Sequence, residues 1–209
     1  MKSFDELLQE SVERHGHLCA GQVIGVRMAM LGCRLVGIED PKAPHLRKKL
    51  IVYVEIDRCA TDAIESVTGC RMGKRTLKFK DFGINAATFV NLDTHAAFRI
   101  VSTETSRDLA AEYAPEAETK QRQQLEGYKR MPDEVLFDVQ PVHVNLPEWD
   151  MPGPPSRHAV CGQCGQMVRD GKEIQVNGKL LCRHCAGESY FEKLNDSASE
   201  LIMEKEAMA

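Results

Sequence analysis

Leu50-Ile51-Val52-Tyr53-Val54-Glu55-Ile56 is the clearest strand in the chain, apolar at every position but one. A strand with one wet face alternates; a run apolar on both faces must be covered on both, which places it inside a sheet. The chain then turns through Asp57-Arg58-Cys59-Ala60-Thr61-Asp62 into a short helix that ends at Gly69. Asp62 with Glu65 three residues on has the form of a helix N-terminal capping signal. Thr76 to Lys80 alternates and reads as a strand, Asp81-Phe82-Gly83 as a turn. Ala86 to Asn91 and Ala96 to Ser102 read as two further strands of an antiparallel meander.

Upstream, residues 4 to 14 form an amphipathic pattern with Phe4, Leu7, Leu8 and Val12 on one side. The loop His15-Gly16-His17-Leu18-Cys19-Ala20-Gly21 leads into a second helix over about 20 to 36, with Ala20, Ile24, Met28, Leu31 and Leu35 as its stripe. Gly21, Gly25 and Gly32 each cost about 1 kcal/mol against Ala inside a helix, so another backbone is expected to pack close to them. Gly37 ends the helix, and Pro41 and Pro44 mark the following loop. Downstream, residues 104 to 130 are polar and helical, divided at Pro115, and Glu134 to Val144 supplies a last strand. Helices at one end followed by strands give an α+β fold, helices packed on a largely antiparallel sheet, over a core domain 1–150.

Pro147, Pro152, Pro154 and Pro155 form a stiff linker into a second region, 151–209, which ends in a polar segment of weak helical pattern. Between them stand Cys161-Gly162-Gln163-Cys164 and Cys182-Arg183-His184-Cys185, two Cys-x-x-Cys pairs separated by seventeen residues. Each pair turns two thiolates toward one point, and two pairs complete a tetrahedral S₄ shell suited to zinc, with rubredoxin-type iron as the rival. About 30 residues bury too little apolar surface to fold alone, so the metal supplies most of the folding free energy. Gly165 and Gly178 flank Met167 to Val176, which reads as a hairpin arm, and Ala186 to Leu194 looks like the opening of a helix. A second pair entering a helix makes a treble-clef finger; a second pair on a hairpin makes a zinc ribbon. His184, between the last two cysteines, is an alternative ligand that the full S₄ set leaves unused.

The chain has 209 residues, 43% hydrophobic and 28% charged, as ordinary soluble domains do. Its most apolar stretch, Ala20 to Ile38, is interrupted by Arg27 and Arg34, and no run reaches the 18 or so apolar residues that span a bilayer. The N-terminal residues carry Asp5 and Glu6 and lack the apolar core of a signal peptide. Eight cysteines without an export signal point to a reducing, cytoplasmic setting. A net charge of −4 argues against a general nucleic-acid binder, although the finger is locally basic. Phosphate-binding loops, nucleophile elbows and dinucleotide glycine fingerprints are absent; Gly69-Cys70-Arg71-Met72-Gly73-Lys74 is a weak glycine-and-base loop able to hold an anion, or a plain turn.

A second constellation lies in the core. His15, His17 and Cys19 fall within five residues, with Cys19 at a helix start where exposed N–H groups and the helix dipole favour thiolate. Cys59 falls where the buried strand gives way to a helix. If the two loops meet, His17, Cys19 and Cys59 form an N/S ligand set with room for a fourth, exchangeable ligand, as in catalytic zinc and other transition-metal sites. Alternatively Cys59 is a nucleophile with His17 as base. Against both stands the plain reading, a buried thiol acting as a small hydrophobe beside a surface histidine. Cys33 reads as core, and Cys70 could approach the same site.

These blocks resemble the FmdE family, the E component of formylmethanofuran dehydrogenase. The resemblance rests on His15 to Ala29, on Asp57-Arg58-Cys59-Ala60-Thr61-Asp62, on Gly69 to Lys74, on Lys80 to Gly83 and on Ala86 to Asn91, in that order, followed by a finger after a proline-rich linker. It implies an α+β core, a homodimer, an appended zinc finger, and a metal pocket lined by His17, Cys19 and Cys59 with His15 and Cys70 beside it. The family is named for association with a molybdenum- or tungsten-dependent enzyme that reduces CO₂ onto methanofuran. The function the resemblance implies is therefore a metal-binding protein, accessory to such a C1 oxidoreductase or one of its components, with a second transition metal, zinc first, in the core. An interaction module built on the finger and a small-molecule enzyme using Cys59 and His17 are the alternatives. Two positions depart from the family pattern: Ala20 where proline is common, and Ile84-Asn85 where a lysine is common, which removes a cation near the pocket.

Overall fold

The structure, a computed structural model, describes residues 1–193. It divides into two compact units: Met1–Pro147 with Met151–Gly153, and Glu148–Asp150 with the chain from Pro154 on. The C-terminal segment expected to be helical lies outside the described residues. Among the described residues no helix is long and apolar enough to cross a membrane.

In the first unit two helices precede the sheet, α1 (Phe4–His15) and α2 (Ala20–Leu35). A capping box opens α1: the Ser3 hydroxyl accepts from the Glu6 N–H, and the Glu6 carboxylate accepts from the Ser3 N–H. Gly16, at φ 94°, closes it in the left-handed conformation that glycine adopts without steric cost. The sheet strands are β1 (Leu50–Val54), β2 (Leu77–Phe79), β3 (Ala86–Asn91), β4 (Ala97–Ser102) and β5 (Phe137–Pro141), in the order β2-β1-β3-β4-β5. All pairings are antiparallel except β1 with β2, which are parallel and joined through α3 (Cys59–Thr68). Parallel neighbours need a crossover of this kind, whereas β3 and β4 are joined by a short turn.

The alternation of β1 explains why it reads apolar throughout. Leu50, Val52 and Val54 join Phe89 and Ile100 in the main core under α2, and Ile51 belongs to a second cluster with Val90 and Ala97. That second face is covered by Val142, Val144 and Leu146, on the extended chain after β5. The last strand is shorter than expected: residues Asp133–Leu136 form a single helical turn, α6, before β5 begins.

The helix glycines of α2 are explained by its neighbours. A Cβ at Gly25 would stand 2.4 Å from the Ala60 carbonyl oxygen, so α2 and α3 touch backbone to backbone there. At Gly32 the neighbour is instead the Phe89 ring, 2.3 Å from such a Cβ. Helices α4 (Glu104–Tyr113) and α5 (Lys120–Arg130) pack on each other at Gly127 against Ala110. Arg27 and Arg34, which break the apolar run of α2, both reach Asp133, at 2.6 and 2.8 Å.

The second unit contains two hairpins: β6 (His158–Val160) with β7 (Met167–Arg169), and β8 (Ile174–Val176) with β9 (Lys179–Leu181). The expected single arm from Met167 to Val176 is therefore two strands belonging to different hairpins. Left-handed residues make the reversals: Asp170 and Gly171 between β7 and β8, Asn177 and Gly178 at the β8–β9 turn.

Candidate metal centres

In the second unit Cys161 and Cys164 occupy the β6–β7 turn, and Cys182 and Cys185 follow β9 directly. The Gly165 N–H returns to the Cys161 carbonyl at 3.0 Å, with Gly165 at φ 73°, and the Cys185 N–H donates to the Cys182 sulfur at 3.4 Å. The hairpins are tied by the Gly162 N–H on the Leu180 carbonyl, 2.8 Å. All four sulfurs lie within 4.8 Å of one another, and those of Cys164 and Cys182 are 3.8 Å apart. A tetrahedral ion with metal–sulfur bonds near 2.3 Å sets its sulfurs about 3.8 Å apart, so the donor set fits such an ion. Backbone N–H groups, those of Cys164 and Cys182 foremost, hold the Cys161 thiol down to about 6, and burial with the neighbouring sulfurs pushes Cys185 up to about 12. Residues 186–193 form turns and coil, so among the described residues the four-cysteine module fits the ribbon arrangement. His184 stays out of the cluster, stacked on Phe191 at 4.6 Å.

In the first unit the loop between α1 and α2 meets the start of α3. Three ligand atoms, one each from His15, His17 and Cys19, lie within 4.8 Å of one another. Cys59 stands just outside this set, its thiol hydrogen-bonded to Cys19. Gly21 permits the approach: a Cβ there would be 2.9 Å from Cys59 Cβ and 3.7 Å from Cys19 Sγ. Burial, then the hydrogen bond to Cys19, pushes the Cys59 thiol up from its ordinary value. The N-terminus of α3, which opens at Cys59, acts in the opposite sense by favouring its thiolate.

Two residues that position the site are not read from the sequence. Gln22 is fully buried on the face of α2 that carries Val26, Ala29 and Cys33, opposite the stripe read from the sequence. It accepts from the Ser11 hydroxyl and donates to the Cys59 carbonyl at 2.7 Å, joining α1, α2 and α3 at one point. A lone amide in an otherwise apolar helix face is the available signal. The second is Asp62, expected as a helix cap. The helix starts three residues earlier, behind Arg58, and the Asp62 carboxylate instead takes the His15 Nδ1–H at 2.9 Å. His15 is consequently held with its Nε2 buried and without a hydrogen-bond partner. A carboxylate that fixes one ring nitrogen of a histidine standing beside a thiol and a second imidazole is the support that metal-ligating histidines require. His17, by contrast, is exposed, its ring 4.6 Å from that of His15.

Cys70 does not approach this site. It lies beyond the C-terminal end of α3, buried, with its sulfur 3.6 Å from the Leu50 carbonyl. Cys33 is core, as expected. Burial pushes both thiols up, that of Cys70 to about 11.

Among curated proteins the chain is similar to a protein of Archaeoglobus fulgidus named "Probable S-adenosyl-L-methionine-binding protein", 28% identical over 207 residues. The match covers 88% of this chain and 53% of the relative, so the chain spans about half the length of that protein. Among solved structures it is similar to a tungsten formylmethanofuran dehydrogenase FmdE-like protein from Syntrophus aciditrophicus. That likeness covers 91% of this chain and 96% of the other at 18% identity, with a TM-score of 0.57, and shows a shared fold. The family model described as "FmdE, Molybdenum formylmethanofuran dehydrogenase operon" matches residues 14–138, from the end of α1 into β5 and through both loops of the core cluster. With more than half its length so matched, the chain belongs to the FmdE family.

Proposed function

We propose that this protein is a metal-binding accessory of a molybdenum- or tungsten-dependent C1 oxidoreductase. In this reading the ribbon holds a structural zinc on Cys161, Cys164, Cys182 and Cys185. A second transition metal, zinc first, sits in the core on His17, Cys19 and Cys59, with His15 added to the ligands read from sequence. The observation that carries the core site is the buried, unpartnered Nε2 of His15, fixed by Asp62 beside His17 and Cys19. A closed S₄ shell leaves no position for substrate, so the ribbon stabilises its own fold. The core set differs: with Cys59 at its edge, an ion held by the other three retains a position that a small ligand or Cys59 itself can fill. The accessory role rests on the operon named in the family's description. The same reading makes the protein a cytoplasmic homodimer.

A second reading, small-molecule chemistry by Cys59 with His17, is favoured by the place of Cys59 just outside the three-ligand set. Metal content per chain, on wild type and on a Cys59→Ala/His17→Ala protein, tests the core site. Two metals falling to one supports it. One metal in both proteins removes it and leaves either the ribbon as an interaction module or metal-free chemistry at Cys59. The accessory role is tested by affinity purification from the native host: recovery without any molybdenum or tungsten enzyme would sink it.

A further inference from the structure

The cleft at the far end of α3 carries a different chemistry. There the loop after α2 and the loop Gly69–Thr76 enclose a cavity of about 480 Å³. Four cations line it, Lys42, Arg47, Lys48 and Lys74, together with the hydroxyl residues Thr68 and Thr76, and no carboxylate does. Only Lys42 is neutralised: it pairs with Glu10 at 3.3 Å. Arg47, Lys48 and Lys74 have no ion pair among the described residues. Arg71 of the same loop is not in the lining and is taken by Glu65 at 2.6 Å.

The loop is held rigidly. The Arg71 carbonyl accepts from the N–H groups of Lys74, Thr76 and Leu77, and the Arg71 N–H donates to the Thr76 hydroxyl at 3.0 Å. Thr68 Oγ1 accepts from the Cys70 N–H at 3.1 Å. Opposite, Gly69 at φ 68° lets the Lys42 stem lie within 3.4 Å of where a Cβ would stand. The C-terminal end of α3 contributes about half a negative charge, far less than the three unpaired cations supply.

We propose that this cleft binds a small organic ligand carrying two or more phosphate groups, of about nucleoside-diphosphate size. The volume lies in the range of small-molecule sites, roughly 300–1,000 Å³. Arg47 offers a planar fork for phosphate oxygens and the lysines compact point charges. Pro41, Leu46 and Leu50 give the remainder of the ligand an apolar wall. Residues Cys59 to Thr68 lie between this cleft and the His/Cys cluster, about 15 Å of helix at 1.5 Å per residue, so the two sites are separate.

The test is calorimetric titration of the full chain with ADP and with inorganic pyrophosphate, adenosine serving as the uncharged control. Both anions bind and adenosine does not; Arg47→Gln/Lys74→Gln weakens both by about tenfold or more, as loss of two charge-assisted contacts requires. Lys120→Gln, on α5, leaves affinity unchanged. Because both anions chelate metals, the Cys59→Ala/His17→Ala protein must bind them as tightly as wild type. Independently of any variant, pyrophosphate shields Lys48 and Lys74 of the wild-type protein from amine acetylation and leaves Lys120 reactive. The proposal is overturned by absent binding up to millimolar ligand, by equal binding in the Arg47/Lys74 variant, or by loss of binding in the metal-site variant. Binding of a single-stranded oligonucleotide that ADP fails to displace would also overturn it, assigning the cations to an extended nucleic-acid surface.

Discussion

Replacing Gly25 by alanine forces a methyl group into the seam between α2 and α3. The new Cβ would lie 2.4 Å from the Ala60 carbonyl oxygen and 2.6 Å from the Ala63 Cβ. Carbon–oxygen contacts settle near 3.3–3.6 Å and carbon–carbon contacts near 3.5–4.0 Å, so the helices must part by about 1 Å. Backbone atoms form the obstacle, and no side-chain rotation relieves it. Overpacking of this kind costs about 1–3 kcal/mol, and a 1 Å gap forfeits up to about half of each dispersion contact along the seam. Alanine recovers about 1 kcal/mol of helix propensity. The net expectation is a loss of about 1–2 kcal/mol, or about 2–8 °C in Tm for a unit of this size. Thermal unfolding in the presence of a chelator measures it without a contribution from bound metal. Gly73→Ala is the control, since its Cβ would meet nothing within 4 Å. Gly25→Ala should also lower core metal occupancy, because Gly21, one turn earlier, sets the approach of Cys59 to Cys19. A Gly25→Ala protein with raised Tm and full occupancy would refute the reasoning: propensity would then have outweighed the clash, and the seam would not fix the site.

Asp62→Ala frees the His15 ring and should lower core metal affinity by about 10–100-fold, while the ribbon keeps its metal; competition with a chromophoric chelator reads this. Gln22→Leu leaves the buried Ser11 hydroxyl without its partner and removes the second bond to the Cys59 carbonyl, and should cost about 1–3 kcal/mol, seen as a lower urea midpoint at unchanged slope. Cys70, pushed up to about 11, carries about one thiolate in a thousand at pH 8. Cys70 and the more deeply buried Cys33 should therefore escape iodoacetamide at pH 8 in the folded protein and react only on unfolding. Alkylation mapped by mass spectrometry decides it, and rapid labelling of Cys70 in folded protein would contradict the burial.

Local regularities in the chain account for much of this architecture. The period of α2, the two-sided apolarity of β1 and the left-handed stops at Gly16 and Gly69 concern a few neighbouring residues, so each leaves a direct mark in the sequence. The S₄ set is legible for the same reason: two residues between cysteines, twice, is a local geometry whose chemistry needs no knowledge of the rest. Where two local readings competed, packing chose. Residues from Ala186 have the composition of a helix start, yet residues 186–193 are turns and coil, which with the second hairpin fits a ribbon. Met167 to Val176 looked like one arm because nothing local reveals that its halves pair with different partners.

The core site divides along the same line. By itself the sequence determined the ligand types, the loop between α1 and α2, and the placement of Cys19 and Cys59 at helix starts, since those depend on residue identity and on separations of a few residues. Only the tertiary structure decided which groups meet. It drew His15 into the cluster through Asp62, forty-seven residues away, and left Cys59 at the edge, with its carbonyl held by Gln22. It also sent Cys70 to the opposite end of α3, because ten helical residues separate two points by about 15 Å however close they stand in the sequence. Such choices come from packing between segments far apart in the chain, and no short window of sequence contains both partners.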